Sequence, residues 1–535
     1  MAPSATGPSA SEFGFSAAQT VAVIGAGISG VSTAAHLLKQ GLSVTVFERS
    51  SVSGGVWHYD ERASRDPQYP NNKPSLGDYS VSRPGEYGST RYNQNILNGN
   101  GVKAINNIKD GFDDSPDTEV LFSPPGPCYA GLKTNVPSTL MFSSLTPWPE
   151  GTEPSVPQSQ VEEYIRRIAK EHGVDDVTLF HTRVDEVRKT GAKWEIRSVS
   201  LEGANHLVEQ ISSFDMVVVA SGHYNMPRIP DIDGLKELKA AYPGRVSHSK
   251  QYRDARKYSG QNVLVVGAGV SALDICRELD GVANKTYQSV RGGMFDLSET
   301  LLPSSAVRVG AVTGFGCLQH DRLDGGEVKS LRGAIYAPLA DGIVLADIDH
   351  VLLATGYITS YPFLRHLHSD TTPTTDAGQD VLVTSEGDMA HNLYKDMFYI
   401  PDPTLSFVGI PYHVATFSLF DFQAQALARI YAGKAHLPSQ EEMRREYEER
   451  VREKGYGRGF HSLYGAGQEV AYVQALVELV NRDIDGTTAV KPMLPHSESW
   501  VREYEAMRAS KKVTSFPRAP VPGEQVGIMS SRTTE

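Results

Sequence analysis

The first strongly patterned stretch of the chain is an unbroken apolar run, Val21 to Gly25, followed by apolar residues at Ile28, Val31, Ala34, Ala35 and Leu38. A run that short and continuous predicts a strand buried on both faces, and the spacing after it predicts an amphipathic helix over Ile28 to Gln40, closed by Gly41. Val44, Val46 and Phe47 predict a second strand leading into Glu48, which completes a βαβ unit. The same order returns at Asn262: an apolar run Val263 to Val266, a glycine turn, a helix to about Gly281 and a strand to Val290. Two copies of one module are a different organisation from a solenoid of short repeats.

Between the copies, Asp60 to Pro127 is rich in Pro, Gly, Asn, Asp and Ser without periodicity, which predicts a long irregular insertion. Thr178 to Ala220 alternates like strands, with Trp194 and Ile196 on one face, and ends in the apolar run Met216 to Ala220. Helical spacing resumes over Thr416 to Tyr431, Glu441 to Lys454 and Gln468 to Arg482. The expected division is 19–225 for the first part of one domain with its insertion at about 60–127, 226–345 for a second domain, 346–437 for the return to the first, and 438–535 for C-terminal helices and tail. Residues 1–18, rich in Ser, Ala, Gly and Pro, are expected to be disordered.

Composition narrows the class. With 40% hydrophobic and 21% charged residues the 535-residue chain is globular, and a net charge of −12 disfavours nucleic acid and anionic lipid as partners. No apolar run approaches the roughly 18 residues a membrane helix needs. Cys128, Cys276 and Cys317 are too few and too scattered for a disulfide scaffold, a redox pair or a zinc ribbon. A reducing, cytoplasmic setting is expected; homo-oligomerisation is left open.

The glycine turns carry the chemistry. Gly25-Ala-Gly27-Ile-Ser-Gly30 joins strand to helix, and Glu48 ends the next strand. The three glycines allow a tight turn, close approach of a pyrophosphate, and close packing of helix on sheet; the helix N-terminus stabilises phosphate and the acid binds ribose hydroxyls. In the second copy, Gly267-Ala-Gly269-Val-Ser271-Ala272, the corresponding strand ends without an acid, at Ser289 and Arg291. An acid there would repel a ribose 2′-phosphate whereas an arginine accepts it, so NADPH is favoured over NADH. Two such sites imply an α/β protein with two Rossmann-like dinucleotide-binding domains, in which a nicotinamide reduces a flavin. No metal site is read; His366 and His368 are expected to be a loop pair.

Several further motifs resemble class B flavin-containing monooxygenases. They are Gly54-Gly55-Val56-Trp57, the stretch from Tyr129 through Leu132, Thr134 and Asn135 to Pro137 with Met141-Phe142, the linker Tyr242-x-Gly244-x-x-x-His248-x-x-x-Tyr252, and Ala354-Thr355-Gly356-Tyr357. The resemblance covers about Val21 to Leu437, and Tyr252 with Arg253 is similar to the N- and S-oxygenating branch. It implies an NADPH domain inserted into an FAD domain, with FAD contacted by Gly25, Gly27, Gly30, Glu48, Gly55 and Trp57, and NADPH by Gly267, Gly269, Ser271, Ser289 and Arg291. It also implies dioxygen as co-substrate and a C4a-hydroperoxyflavin beside Asn135, which passes one oxygen to a soft nitrogen or sulfur of a small molecule such as a secondary metabolite. A Baeyer-Villiger oxygenase acting on a ketone, and an NADPH oxidase or reductase without oxygen transfer, are the alternatives. His248 is expected to be structural, Ala354 to Tyr357 a hinge, and Asp421 with Phe422 a device orienting the C-terminal helix. The insertion, carrying Tyr69, Tyr79, Tyr87 and Tyr92, departs from the family pattern and is a candidate pocket wall.

Overall fold

Thr20–Ile24 forms strand β1, whose residues from Val21 on are fully or almost fully buried. It runs into helix α1 (Ile28–Lys39), which Gly41 at φ +86° terminates, and then into β2 (Ser43–Phe47). The computed structural model describes residues 15, 19–79, 90–91, 118–203, 206–293, 295–317, 334–484 and 490–510. The expected disorder of residues 1–18 falls, Phe15 apart, outside the described residues, as do Tyr87 and Tyr92.

A helix not anticipated from the pattern is α2 (Gln158–Glu171), which buries Val161, Tyr164, Ile165 and Ile168 at helical spacing beneath a charged face. After it come β3 (Thr178–Leu179), the antiparallel meander β4 (Thr182–Thr190), β5 (Lys193–Glu202) and β6 (His206–Phe214), and then β7 (Met216–Val219). The chain next builds a second sheet from β8 (Val246–His248), β9 (Asn262–Val266), helix α3 (Val270–Glu278), β10 (Lys285–Ser289), β11 (Ala306–Val309) and β12 (His350–Leu353). It returns through β13 (Leu393–Tyr394), β14 (Phe398–Tyr399) and β15 (Leu405–Phe407), and closes with α4 (Thr416–Tyr431), α5 (Gln440–Lys454), α6 (Gln468–Asn481) and α7 (Glu498–Ser510).

The first sheet has the order β13-β14-β15-β7-β1-β2-β3, with β15, β7, β1, β2 and β3 parallel. The second, β8-β12-β9-β10-β11, is parallel throughout. Because β15 pairs with β7 only after the whole second sheet is made, the second dinucleotide fold is inserted in the first. Parallel strands covered on both faces read as continuous apolar runs, which is why β1, β7, β9 and β12 stand out in the sequence.

Helix α4 packs on α1. One carboxylate fixes that contact: Asp421, 3% exposed, accepts from Ser32 Oγ (3.0 Å), Ser143 Oγ (2.9 Å) and the Ser144 N–H (3.2 Å) and pairs with His36 Nε2 (3.0 Å). Burial opposes its charge, yet the bonds from His36, Ser144 and Ser143 hold its carboxyl below the ordinary carboxylate range. Asp421→Ala would leave those buried donors unpaired. The expected cost is about 3 kcal/mol, read as a lower denaturation midpoint of the FAD-loaded protein; an unchanged midpoint would contradict the role.

Candidate functional site

The phosphate cradle is built where two backbones cross too closely for any side chain. Gly25 adopts φ +104°, and a Cβ there would lie 2.7 Å from the Ala220 carbonyl oxygen. A Cβ on Gly30 would lie 1.8 Å from the Gly25 oxygen, so the third glycine lets α1 sit against the turn. Gly55, at φ +58°, would carry its Cβ 2.8 Å from the Cα of Gly27. The cavity of about 290 Å³ that opens here is lined by Gly25, Gly27, Glu48, Gly54, Gly55 and Trp57. Trp57 packs its half-buried ring on the main core and also faces the cavity.

Glu48 closes one end. Its Oε2 accepts the Ala26 N–H (2.7 Å) and its Oε1 the Ser50 N–H (2.8 Å), and each oxygen keeps a lone pair for a ribose hydroxyl. The insertion supplies the adjoining wall through Asp78 and Tyr79. Arg49 grips Asp78 with two bonds of 3.0 and 3.1 Å, and Lys250, from the linker, adds a third at 2.8 Å. Burial works against the Asp78 charge, but Arg49 and Lys250 outweigh it and hold the carboxyl below its usual range. The insertion thereby joins the first cradle to the linker, a role its irregular sequence did not announce.

In the second module Gly267, at φ +125°, would set a Cβ 2.4 Å from the Ala354 oxygen, repeating the tight turn. Gly269 caps α3 and faces open space, with nothing within 4 Å of an added Cβ; Ser271 is exposed on the first turn. That is room for a pyrophosphate at a helix N-terminus. Of the two expected selectors, Arg291 is exposed. Ser289 is 3% exposed, and its hydroxyl donates to the Gly310 oxygen (2.9 Å) and accepts from the Val312 N–H (3.2 Å), so it is engaged in shaping the turn after β11.

Where the modules meet, His248 is fully buried; its Nε2 bonds the Gly356 oxygen (3.1 Å) and its Nδ1 accepts the Lys250 N–H (3.1 Å). Burial pushes its pKa down to about 3, so the ring is neutral and structural. His368 likewise bonds the backbone of Leu364 (3.0 Å) and Tyr361 (3.2 Å), and no group of metal-ligating residues occurs among the described residues. The cavity also has an aromatic wall that sequence spacing could not reveal, formed by His223, Tyr224, Tyr412 and His413. His223 lies 4.3 Å from Tyr224, and Phe295 of the second module lies 6.0 Å from Tyr412 between ring centroids. Asn135 is exposed on the loop before Pro137 and is not one of the cavity-lining residues; its loop is tied to the segment leading into α2 by the Thr134 hydroxyl, which accepts the Val156 N–H at 3.0 Å.

This geometry defines a flavoprotein oxidoreductase with paired dinucleotide folds. Residues 126–305 and 326–496 match the flavin-binding monooxygenase-like family, and residues 20–69 match the FAD dependent oxidoreductase family. The chain is 39% identical over 513 residues to the flavin-containing monooxygenase ustF2 of Aspergillus flavus, covering 91% of this chain and 97% of that protein. It is 27% identical to senecionine N-oxygenase of Tyria jacobaeae, covering 82% of this chain and 76% of that protein. The fold is similar to that of S-allyl-L-cysteine S-oxygenase from Allium sativum, with a TM-score of 0.64 at 23% identity over 92% of this chain and 93% of that one. The protein belongs to the flavin-containing monooxygenase family and is an FAD enzyme of flavin-dependent oxygenation.

Gly55→Ala forces a Cβ into the crossing with Gly27 and is expected to lower the FAD retained on purification at least about tenfold, read from flavin absorbance per protein; full occupancy would exclude that crossing as the cradle. A pH dependence also follows. Burial pushes His223 and His413 down to about 4 and His248 to about 3, all below the unfolded value of about 6.5. The unfolded chain therefore binds more protons between those limits, and stability present above pH ~6.5 should fall progressively towards pH ~4. A flat denaturation midpoint over that range would count against neutral, buried rings.

Proposed function

We propose that the protein is an NADPH-dependent monooxygenase that transfers one atom of dioxygen to a soft nitrogen or sulfur nucleophile of a small organic molecule. The observation that carries this is the contrast between two matching cradles, one closed by the carboxylate of Glu48 and the other left with the exposed guanidinium of Arg291. An acid suits a ribose diol and repels a 2′-phosphate; an arginine pairs with the 2′-phosphate. The first cradle, with Gly25, Gly27, Gly55 and Glu48, would hold FAD, which when bound would supply the oxygen chemistry: two electrons from NADPH and one dioxygen give one oxygen atom to the acceptor and the other to water.

The chain's own work is positional. The glycine crossing sets the depth of the cofactor, and the aromatic wall of Tyr224, Tyr412 and His413 keeps water from the reacting end. Asn135, carried by the exposed loop before Pro137 and outside the cavity-lining residues, is assigned on the family resemblance alone to donate an amide hydrogen bond to the developing oxygen centre. No strong protein base is required. The name of the senecionine N-oxygenase supports nitrogen as an acceptor, and Tyr252-Arg253 supports the same branch.

The test is oxygen transfer from labelled dioxygen to a tertiary amine and to an alkyl sulfide, with NADPH consumption and peroxide followed together. One labelled oxygen per product is expected; ester formation from a ketone, or peroxide equal to NADPH with every acceptor, would overturn the reading. Arg291→Ala should raise the KM for NADPH about 10- to 100-fold with a much smaller change for NADH. Asn135→Leu should leave NADPH oxidation running while diverting most of the oxygen to peroxide, and unchanged coupling would remove Asn135 from its assigned place.

A further inference from the structure

Arg458 stands on the turn after α5 and reaches into the junction of the modules. Its guanidinium carbon lies 5.6 Å from the centroid of the Phe295 ring, and a Cβ placed on Gly356 would be 3.0 Å from its Nη2. Phe295 meets His413 at 5.2 Å and Tyr412 at 6.0 Å between centroids, and both of those line the flavin cavity. A cation from the C-terminal segment, a ring from the second module and two rings from the first thus converge on one place.

The neighbouring arginines are neutralised. Arg228 bonds Asp388 at 2.6 Å and the Glu386 oxygen at 3.0 Å, and Arg450 bonds Asp396 at 2.7 Å. Arg458 is half-buried, and among the described residues it has the Phe295 ring but neither a hydrogen bond nor an ion pair. Its field and that of Arg291 reinforce the burial that holds Arg228 below its ordinary pKa, while Asp388, already used by Arg228, opposes them. The junction therefore keeps a positive excess, and its unpaired guanidinium presents a fork of donors whose geometry matches a carboxylate.

We propose that Arg458 binds the carboxylate of the substrate, so that the preferred acceptor is a carboxylate-bearing amine or sulfide with its apolar arm laid against Phe295, Tyr412 and His413. The proposal rests on the reading of the enzyme as an N- or S-oxygenating monooxygenase. A phosphate of NADPH is the other anion of suitable chemistry. The carboxylate is favoured because Arg458 bears on Phe295, whose ring meets Tyr412 and His413 of the flavin cavity; the Phe295 segment is also tied to the second cradle, the Leu297 N–H donating to the Ala268 oxygen at 2.7 Å, so the test includes the cofactor phosphate as the competing anion.

The test compares methylthiopropanoate with methyl propyl sulfide on the FAD-loaded enzyme. Wild type should favour the acid at least about tenfold in kcat/KM, Arg458→Met should bring the ratio near one chiefly through KM, and Arg458→Lys should recover part of it. Binding is read independently, as a saturable change in the oxidised flavin spectrum on adding methylthiopropanoate, expected to weaken about 10- to 100-fold in Arg458→Met. Equal use of both sulfides by wild type overturns the proposal and leaves the monooxygenase reading intact. Absence of any sulfoxide or N-oxide overturns that reading instead, and saturable, Arg458-dependent binding would still support the carboxylate site. An equal loss with both sulfides, accompanied by a tenfold higher Kd for NADPH in anaerobic flavin reduction, would assign the guanidinium to the cofactor phosphate. Should the Met variant fail to retain FAD, the Lys variant decides on the same ratio.

Discussion

A single buried carboxylate holds together the helix of the first cradle, the loop that follows Asn135 and the helix packed on the cradle. Asp421 joins the cradle helix through Ser32 and His36, the loop that follows Asn135 through Ser143 and Ser144, and the C-terminal helix on which it stands. Apolar contact alone would bring α1 and α4 together, but dispersion and burial are not directional. Hydrogen bonds to one acceptor add the missing register, since a shift of a turn would strand several donors in a dry core. The depth at which α1 presents its N-terminus, and the position of the loop carrying Asn135, are therefore settled by the same group.

A second constraint governs the junction between modules. The linker residue His248 bonds the Gly356 oxygen while the Arg228 N–H donates to that same oxygen at 2.9 Å. Nearby, Lys250 runs back to Asp78 in the insertion and to the Asn225 oxygen. The hinge is thus a polar one, with its groups almost wholly withdrawn from water, which makes each bond costly to lose and the two modules correspondingly well oriented. Hydride transfer between two rings depends on such orientation more than on any reactive side chain.

The two modules were legible because their function imposes local demands. A glycine with positive φ at Gly25 or Gly267, and one with no room for a Cβ at Gly30, cannot be replaced without loss of the turn, so chemistry and local sequence coincide. Asp421 was legible only as a helix-borne acid, since all its partners but Gln425 lie more than two hundred residues away, in α1 and in the loop at Ser143 and Ser144. The role of Ser289 illustrates the opposite case: a hydroxyl at the end of a strand has the right chemistry for phosphate, but the turn at Gly310 to Val312 engages it first. The aromatic wall was invisible for a simpler reason. His223 and Tyr224 belong to one stretch and Tyr412 and His413 to another, with Phe295 of the second module meeting them from a third, and no period relates them. The helix α2 did carry a readable apolar stripe, which its many charged residues obscured.

The charge balance gives the last step its force. A chain of net charge −12 repels anions at long range, yet NADPH is an anion. Screening confines that repulsion to roughly 8 to 10 Å in physiological salt, so affinity for an anion is decided by cations within about that distance of its seat. At the module junction those cations include Arg228, Arg291 and Arg458, and Asp388 pairs with the first of them. Arg291 lies just beyond β10, where a ribose 2′-phosphate would be read, and Arg458 lies over Phe295, whose ring in turn meets Tyr412 and His413. Two cations without a carboxylate partner among the described residues, both acting on Arg228, leave a positive surplus in an otherwise acidic protein, and that surplus is what a second anion at the reacting end would use.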